Sequence, residues 1–296
     1  MSNFALVSDS TCDLDRAMRE QYDIDYVKMN YVIDGTEYPA SLDWEGHSAK
    51  EYYDMMRNGT RIRTTQVSRD TYTECFKGYL EKGMDVVYIS CSSALSGSVN
   101  LAKLIANELI SEYPDNRVYC IDSLCSSFGQ AMMVLYASNL RSVGKNAKEV
   151  ADAVEGMRLN INQSGTVESL EYLRRAGRVK ASKAFFGNLF GVKPIIISDI
   201  IGQNYAVKKA KGMKNSLAEI AAMMKDAIEP AGEECLFISH ADAEGTAEML
   251  RDAILKVVPF KKVHMGCIGP IVGASVGPGT IIAFCYGKEV PIEGRE

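Results

Sequence analysis

Short runs of apolar and β-branched residues alternate with helical patterns along most of this chain, and the first such runs lead into hydroxyl-rich loops. Residues 4–7 precede the polar segment 8–11, and residues 85–90 precede the serine-rich segment 91–98. A third run at 118–121 follows the same pattern. Alternation of strand and helix is typical of βαβ units, which build parallel sheets. The chain is therefore predicted to have an α/β fold.

The pattern changes after about residue 160. Apolar runs at 193–198 and 204–209 are joined by a glycine turn, as in an antiparallel pair. The 296 residues suffice for two domains of roughly 100–200 residues each. We predict an N-terminal parallel-sheet domain at 1–160, which carries the ligand-binding loops, and a second α/β domain with a mixed sheet at 161–296. The last strand, at 280–286, is expected to return to one of the two sheets, with the first as a candidate.

Turn and capping residues predict where several elements begin and end. Asp34-Gly35 supplies the positive φ angles of a type I′ hairpin turn. Ser48, Ser68 and Asn146 have the side chains that cap helix N-termini, and Asn146 is followed three residues later by a glutamate, as in a capping box. These signals are local and place helices and a hairpin within the first domain.

Charge and cysteine usage exclude several classes of protein. The net charge of −5 disfavours nucleic acid binding, because neutralising phosphates requires clustered Lys and Arg. The eight cysteines are scattered, so they are predicted to be reduced thiols. The first residues lack a signal-peptide pattern, and no apolar run is long enough to span a bilayer. We therefore expect a cytoplasmic protein that does not insert into membranes.

The polar loops after the strands are candidates for a binding site. In an open parallel sheet, ligands lie beyond the carboxyl ends of the strands. That edge would collect residues 8–10, 64–66, Ser93 with Ser96, and 122–123. Hydroxyls and helix N-terminal N–H groups suit an oxyanion, since both donate hydrogen bonds. The alternative is that each hydroxyl only caps the following helix, and the sequence leaves both interpretations open.

Three sharper functional motifs are rejected. Residues 273–277 match Gly-x-Ser-x-Gly around Ser275, but they lie in the stretch 269–279, which is predicted to be a loop, and no histidine follows. The three histidines lack the spacing of metal ligands. Neither a P-loop nor a dinucleotide fingerprint is present. We expect no catalytic residues, no metal and no cofactor.

Six motifs in order along the chain resemble those of the DegV family. They are residues 8–14, 64–68, 92–98, 170–178, 192–194 and 269–279. The resemblance implies a two-domain α/β protein with a fatty acid tunnel between the domains. It also implies that the protein is a carrier, in bacteria, that presents the acyl carboxylate to a separate ATP-binding kinase subunit.

The resemblance also implies site residues. Thr64 and Ser96 would hydrogen-bond the carboxylate, and further contacts with the head group or partner would come from four residues: Ser275, Arg178, Ser93 and Thr65. The chain departs from the family pattern at three positions. Ser275 stands where His is common, Lys211 where Arg is common, and Ala176 where Gly is usual.

Three functions are therefore considered. The first is a binding protein, not an enzyme, that holds palmitate, stearate or oleate for lipid transport or fatty acid metabolism, with only transient contact with a membrane surface. The second is an enzyme that uses the same loops on a small phosphorylated or carboxylated metabolite. The third is a regulatory module with an exposed apolar patch and no cavity. The candidate apolar wall, which domain core would explain equally well, comprises Phe185, Phe186, Leu189, Phe190, Ile195 and Ile197.

Overall fold

The computed structural model describes residues 4–180, 185, 191–229 and 234–293, and the strands in these ranges form three sheets. In chain order the strands are β1 Phe4–Asp9, β2 Asp25–Val27, β3 Asn30–Ile33, β4 Thr36–Pro39, β5 Arg63–Thr65, β6 Asp85–Ser90, β7 Val118–Asp122, β8 Ile161–Thr166, β9 Val179–Lys180, β10 Val192–Ser198, β11 Asn204–Lys211, β12 Cys235–His240, β13 Lys262–Cys267 and β14 Ile281–Tyr286.

Helices connect most of these strands. They are α1 Arg16–Gln21, α2 Ala49–Arg57, α3 Arg69–Leu80, α4 Ser98–Leu109, α5 Phe128–Ser142, α6 Ala147–Met157, α7 Leu170–Ala176, α8 Gly212–Ala227, α9 Glu244–Leu255 and α10 Pro270–Val276, with a short 3₁₀ turn at Arg158–Asn160. Within the described ranges, no helix combines the length and apolar content that crossing a bilayer requires.

The first sheet is parallel and has the strand order β2-β1-β6-β7. Val7 and Tyr88 point into a core that α3 and α4 help to build. Leu6 and Ile89 point to the opposite face, into a core shared with α5 and α6. A strand that alternates between two buried faces reads as an unbroken apolar run, which explains the pattern of the sequence. The predicted α/β class is confirmed.

The second sheet has seven strands in the mixed order β13-β12-β14-β8-β10-β11-β9. One face packs against α8 and α9 around Ile220 and Leu250. The last strand, β14, lies inside this sheet, antiparallel to β12 on one edge and to β8 on the other. Its suggested return to the first sheet was wrong. Antiparallel pairing on both edges satisfies its backbone groups here. Because all strands of this sheet follow residue 160, we propose the same division into 1–160 and 161–296.

The capping and turn residues predicted the capped helices and the hairpin correctly. Ser48, Ser68 and Asn146 each accept a hydrogen bond from the helix they cap. Asp34 and Gly35 have φ angles of 48° and 86° and join β3 to β4. The third sheet, β4-β3-β5, extends this hairpin with a strand that the sequence did not predict. That added strand positions residues 63–65.

Tertiary contacts override the sequence pattern in α10, which was predicted to be a loop. Pro270 begins the helix, a position where its fixed φ angle is favourable. Gly277, with a φ of 81°, ends it. The Tyr53 hydroxyl donates to the Ile268 carbonyl over 2.6 Å, and the Gly269 N–H donates to Asp13 Oδ1 over 2.9 Å. This short helix is held by contacts with the first domain.

Candidate functional site

A cavity of about 190 Å³ lies between the loops of the first sheet, the third sheet, the second sheet and α10. Its lining is mostly uncharged and combines hydroxyls and amides with apolar side chains. The lining residues are Thr11, Met29, Thr64, Thr65, Gln66, Cys91, Leu95, Ser96, Gly97, Ser126, Gln163, Arg178, Asn204, Ile271, Val272, Ser275, Val276 and Ile282. Both predicted domains therefore contribute to one cavity.

Five of the six predicted site residues line this cavity. They come from four separate parts of the chain: Thr64 and Thr65 from β5, Ser96 from the loop after β6, Arg178 from the end of α7, and Ser275 from α10. A cavity that gathers donors from four segments depends on the tertiary fold for its geometry. Their role as ligands of a carboxylate stays a prediction.

Ser93 does not line this cavity, and its predicted contact with the head group or a partner stays a prediction. Its side chain is exposed, and its backbone N–H donates to Asp122 Oδ1 over 3.1 Å. The loop makes a tight turn in which the N–H groups of Leu95 and Ser96 both donate to the Ser92 carbonyl over 3.0 Å. The turn directs Ser93 outward and returns the chain to the cavity at Ser96.

The two threonines of β5 use their hydroxyls differently. Successive side chains of a strand point to opposite faces. The Thr65 hydroxyl donates to Glu37 Oε1 over 3.2 Å. The half-buried Thr64 hydroxyl makes no hydrogen bond with any described residue. Thr64 is therefore the threonine whose donor remains available to a ligand.

Ser96 lies just before the N-terminus of α4. Its Oγ accepts from the Ser98 N–H over 3.3 Å and lies 3.0 Å from Ser98 Oγ. The positive end of the helix dipole favours a negative group in this position. Next to it, the side chain of Gln66, which follows β5, reaches Gly97, so the Ser96 loop and the end of β5 lie in contact.

Arg178 connects the second domain to the loop that carries Ser96. Gly177, with a φ of 69°, follows α7, and the Arg178 N–H donates to the Leu173 carbonyl over 3.0 Å, as in a Schellman motif. Arg178 Nε then donates to the Leu95 carbonyl over 3.0 Å. The guanidinium therefore holds the Ser96 loop in place as well as lining the cavity.

The residues at 8–10, proposed as part of the binding edge, are instead fully buried. Asp9 accepts hydrogen bonds on both carboxylate oxygens, and the donors lie in three segments of the chain. They are the Thr11 N–H and hydroxyl, Gln130 Nε2, the Tyr88 and Ser90 hydroxyls, and the Cys91 N–H. Neither interpretation from the sequence describes these residues, because the Ser8 and Ser10 hydroxyls donate to the carbonyls of Ile89 and Val27 and do not cap a helix. Asp9 organises the loops, and of residues 8–11 only Thr11 lines the cavity.

Asp13 is a second buried carboxyl between the two domains. Its Oδ1 accepts from the Gly269 N–H at the start of α10, and its Oδ2 has no hydrogen-bond partner among the described residues. Burial raises the pKa of this carboxyl to about 7. The contact fixes one end of the helix that carries Ser275.

The predicted apolar wall needs correction. Ile195 lies in the core beneath α8, and Ile197 lines a different cavity beside Met223. Ile196, between them, points the other way and borders a cavity of about 20 Å³ next to the main one. Phe186, Leu189 and Phe190 lie outside the described residues, while Phe185 packs at the edge of the core that contains Ile196.

Sequence reasoning missed several lining residues. Gln163 and Asn204 come from the second sheet, and Ile271, Val272 and Val276 come from α10. The alternation of side chains along a strand could have singled out Gln163, had β8 been recognised. Nothing local could have identified the residues of α10, because its helical conformation depends on packing against the first domain.

Known proteins are similar to this chain over nearly its whole length. The family model of DegV proteins matches residues 3–288. A DegV domain-containing protein of Clostridium perfringens is 32% identical over 287 residues, which cover 97% of this chain and 98% of the relative.

Two solved structures have the same fold as this chain. The first is a structure from Thermus thermophilus, described as fatty acid binding of a DegV family protein. It has a TM-score of 0.87 and 27% identity, and the match covers 97% of this chain and 100% of the Thermus chain. A stearic acid-binding protein from Eubacterium ventriosum has a TM-score of 0.85 at 21% identity, with coverage of 96% and 98%, and shows the fold.

Proposed function

Because this chain belongs to the DegV family, we propose that it binds a long-chain fatty acid whose carboxylate lies against the hydroxyls of Thr64 and Ser96. The observation that carries this proposal is the cavity between the domains. There the Thr64 hydroxyl, which has no hydrogen-bond partner among the described residues, and the N-terminal end of α4 border the same space. Uncharged donors orient a carboxylate without the desolvation cost of burying a second charge. A regulatory module without a cavity does not fit this structure.

The acyl chain would supply most of the affinity. Burying methylenes contributes about 0.8 kcal/mol each, so a C16 tail gives on the order of 10 kcal/mol before ordering costs. The cavity of about 190 Å³ is smaller than typical ligand pockets of roughly 300–1,000 Å³. We therefore expect its apolar inner end, near Ile196 and Leu173, to open towards the adjoining small cavity when a tail enters.

Fatty acid binding is tested by extraction and by stabilisation. We expect purified protein to yield a long-chain fatty acid in about one-to-one ratio by mass spectrometry. Delipidated protein with palmitate or oleate at about 100 times Kd should gain about 2.7 kcal/mol, or roughly 4 °C in Tm. A water-soluble short-chain acid such as butyrate is the control. Protein that extracts empty and melts at the same temperature with every acid would refute the proposal.

We further propose that the carboxylate is presented to an ATP-dependent kinase subunit. A second cavity, of about 230 Å³, shares Thr64, Arg178 and Ser275 with the first, and Arg61, Arg63 and Arg175 also line it. The arginines make this cavity positively charged, although the whole chain has a net charge of −5. Arginines suit both phosphate oxygens and an acidic partner surface. A carboxylate oxygen would attack the γ-phosphorus, the bond to the bridging oxygen would break, and acyl phosphate and ADP would form.

Reversing two of these arginine charges tests presentation of the carboxylate to the kinase subunit separately from fatty acid binding. We expect Arg63→Glu with Arg175→Glu to retain fatty acid affinity but to lower acyl phosphate formation about tenfold or more with the kinase subunit, ATP and Mg²⁺, because two like charges now oppose the partner. Trapping the product with hydroxylamine measures the rate. Lys148→Glu on α6, away from both cavities, is the control for a charge reversal elsewhere on the surface. Equal rates for the double variant and the control would contradict the kinase proposal.

A further inference from the structure

The wall of the main cavity formed by the second sheet carries two amide side chains. Gln163 on β8 and Asn204 at the start of β11 both line the cavity, and β10 lies between their strands. Gln163 Nε2 donates to Asn204 Oδ1 over 3.1 Å. Gln163 is only 8% exposed. The pair therefore combines a buried amide with the half-buried amide of Asn204, on a cavity wall that an acyl chain would contact.

The hydrogen-bonding capacity of this pair is only partly used. A primary amide offers an acceptor oxygen and an NH₂ with two donors. The bond between Gln163 and Asn204 uses one donor and one acceptor, and neither side chain makes another hydrogen bond within the described ranges. Whichever way the two amides are turned, at least one donor and one acceptor remain.

The two amides also lie between the main cavity and the adjoining small cavity, where the acyl chain of a bound fatty acid would run. Both residues line the main cavity and the adjoining small cavity, which continues to Val167, Leu173 and Ile196. A plain hydrocarbon chain on this path would cover the amides with methylenes and leave the remaining donor and acceptor unsatisfied. Covering polar groups in this way is unfavourable. A hydroxyl group on the acyl chain both donates and accepts a hydrogen bond, so it can satisfy the remaining acceptor and the remaining donor of the amide pair.

We propose that the preferred ligand is a hydroxy fatty acid, whose chain hydroxyl bonds to the Gln163–Asn204 amide pair while its carboxylate lies at Thr64 and Ser96. This inference rests on the proposed function and specifies its ligand class. A keto group accepts but cannot donate, so an oxo fatty acid would satisfy only the NH₂ side and bind more weakly than the matching hydroxy acid.

The test compares stearate with a series of monohydroxystearates that differ in hydroxyl position, titrated into delipidated protein. We expect at least one isomer to bind about tenfold more tightly than stearate, since it adds two hydrogen bonds. Gln163→Met keeps the side-chain length but removes the amide, so it should abolish that preference. Asn204→Leu removes the other half of the pair and should have the same effect. Gln66→Met, at the carboxylate end of the same cavity, should leave the ratio unchanged.

The outcomes separate the two proposals. If wild-type protein binds stearate but prefers no hydroxystearate, or if the preference survives in both the Gln163→Met and Asn204→Leu variants, the amide pair does not select the ligand and the inference is wrong. If neither stearate nor any hydroxystearate binds, fatty acid binding itself fails.

Discussion

Replacing Thr64 with Val and Ser96 with Ala together is expected to weaken fatty acid binding by about 100-fold or more. Each hydroxyl is expected to donate to the carboxylate, and a hydrogen bond to a charged group contributes about 1.5–3 kcal/mol. Valine matches threonine in shape, and Thr64 is half-buried, so the cavity should retain its form. The affinity of delipidated protein for palmitate, measured by titration, checks this result.

Ser93→Ala is the matched control for that experiment. Ser93 belongs to the same serine-rich loop, but its side chain is exposed and outside the cavity. We expect its affinity for palmitate to equal that of the wild type. If the double variant also binds palmitate as tightly as the wild type, the head group lies elsewhere. A loss in Ser93→Ala of the same size would show that the loop conformation, rather than the Ser96 hydroxyl, matters.

Replacing Asp9 with Asn is expected to lower the free energy of unfolding by about 3–5 kcal/mol, the range for breaking a buried hydrogen-bonded network. Both carboxylate oxygens of Asp9 accept hydrogen bonds, and the donors include the N–H groups of Thr11 and Cys91. An NH₂ in place of one oxygen would face donors instead of accepting from them. Urea unfolding followed by circular dichroism measures the change.

Asp115→Asn makes the same chemical change at an exposed position in the turn before β7 and should alter stability by less than about 0.5 kcal/mol. Because Cys91 begins the loop that carries Ser96, the Asp9 variant should also bind fatty acid less tightly. An Asp9→Asn protein as stable as the Asp115→Asn protein would show that the buried carboxylate is not needed to hold the loops together.

The sequence predicted the candidate site in part, and individual residues show why. Thr64 and Ser96 were singled out because they lie in polar segments that matched family motifs, and both line the cavity. Ser93 was singled out on the same basis and points to solvent. The direction of a side chain in a tight turn depends on backbone hydrogen bonds such as those to the Ser92 carbonyl, and a pattern of residue types does not encode them.

The second sheet illustrates the same limit. Ile195 and Ile197 were expected along the ligand, but Ile196 faces that side instead. A shift in register between β10 and β11 falls at this place in the strand. All three isoleucines are buried, so hydrophobicity alone could not tell one face from the other. Which face meets the cavity follows from the position of α8, a helix that comes later in the chain.

The sequence by itself determined the elements whose signals are local: the alternation of buried strands and helices, the Ser48, Ser68 and Asn146 caps, and the Asp34-Gly35 turn. Only the tertiary structure decided which polar groups meet, which became buried scaffolding, and that residues 270–276 are helical. Periodicity and capping act over a few neighbouring residues. A cavity is instead built from contacts between distant segments, such as Asp13 with Gly269, whose geometry depends on the whole fold.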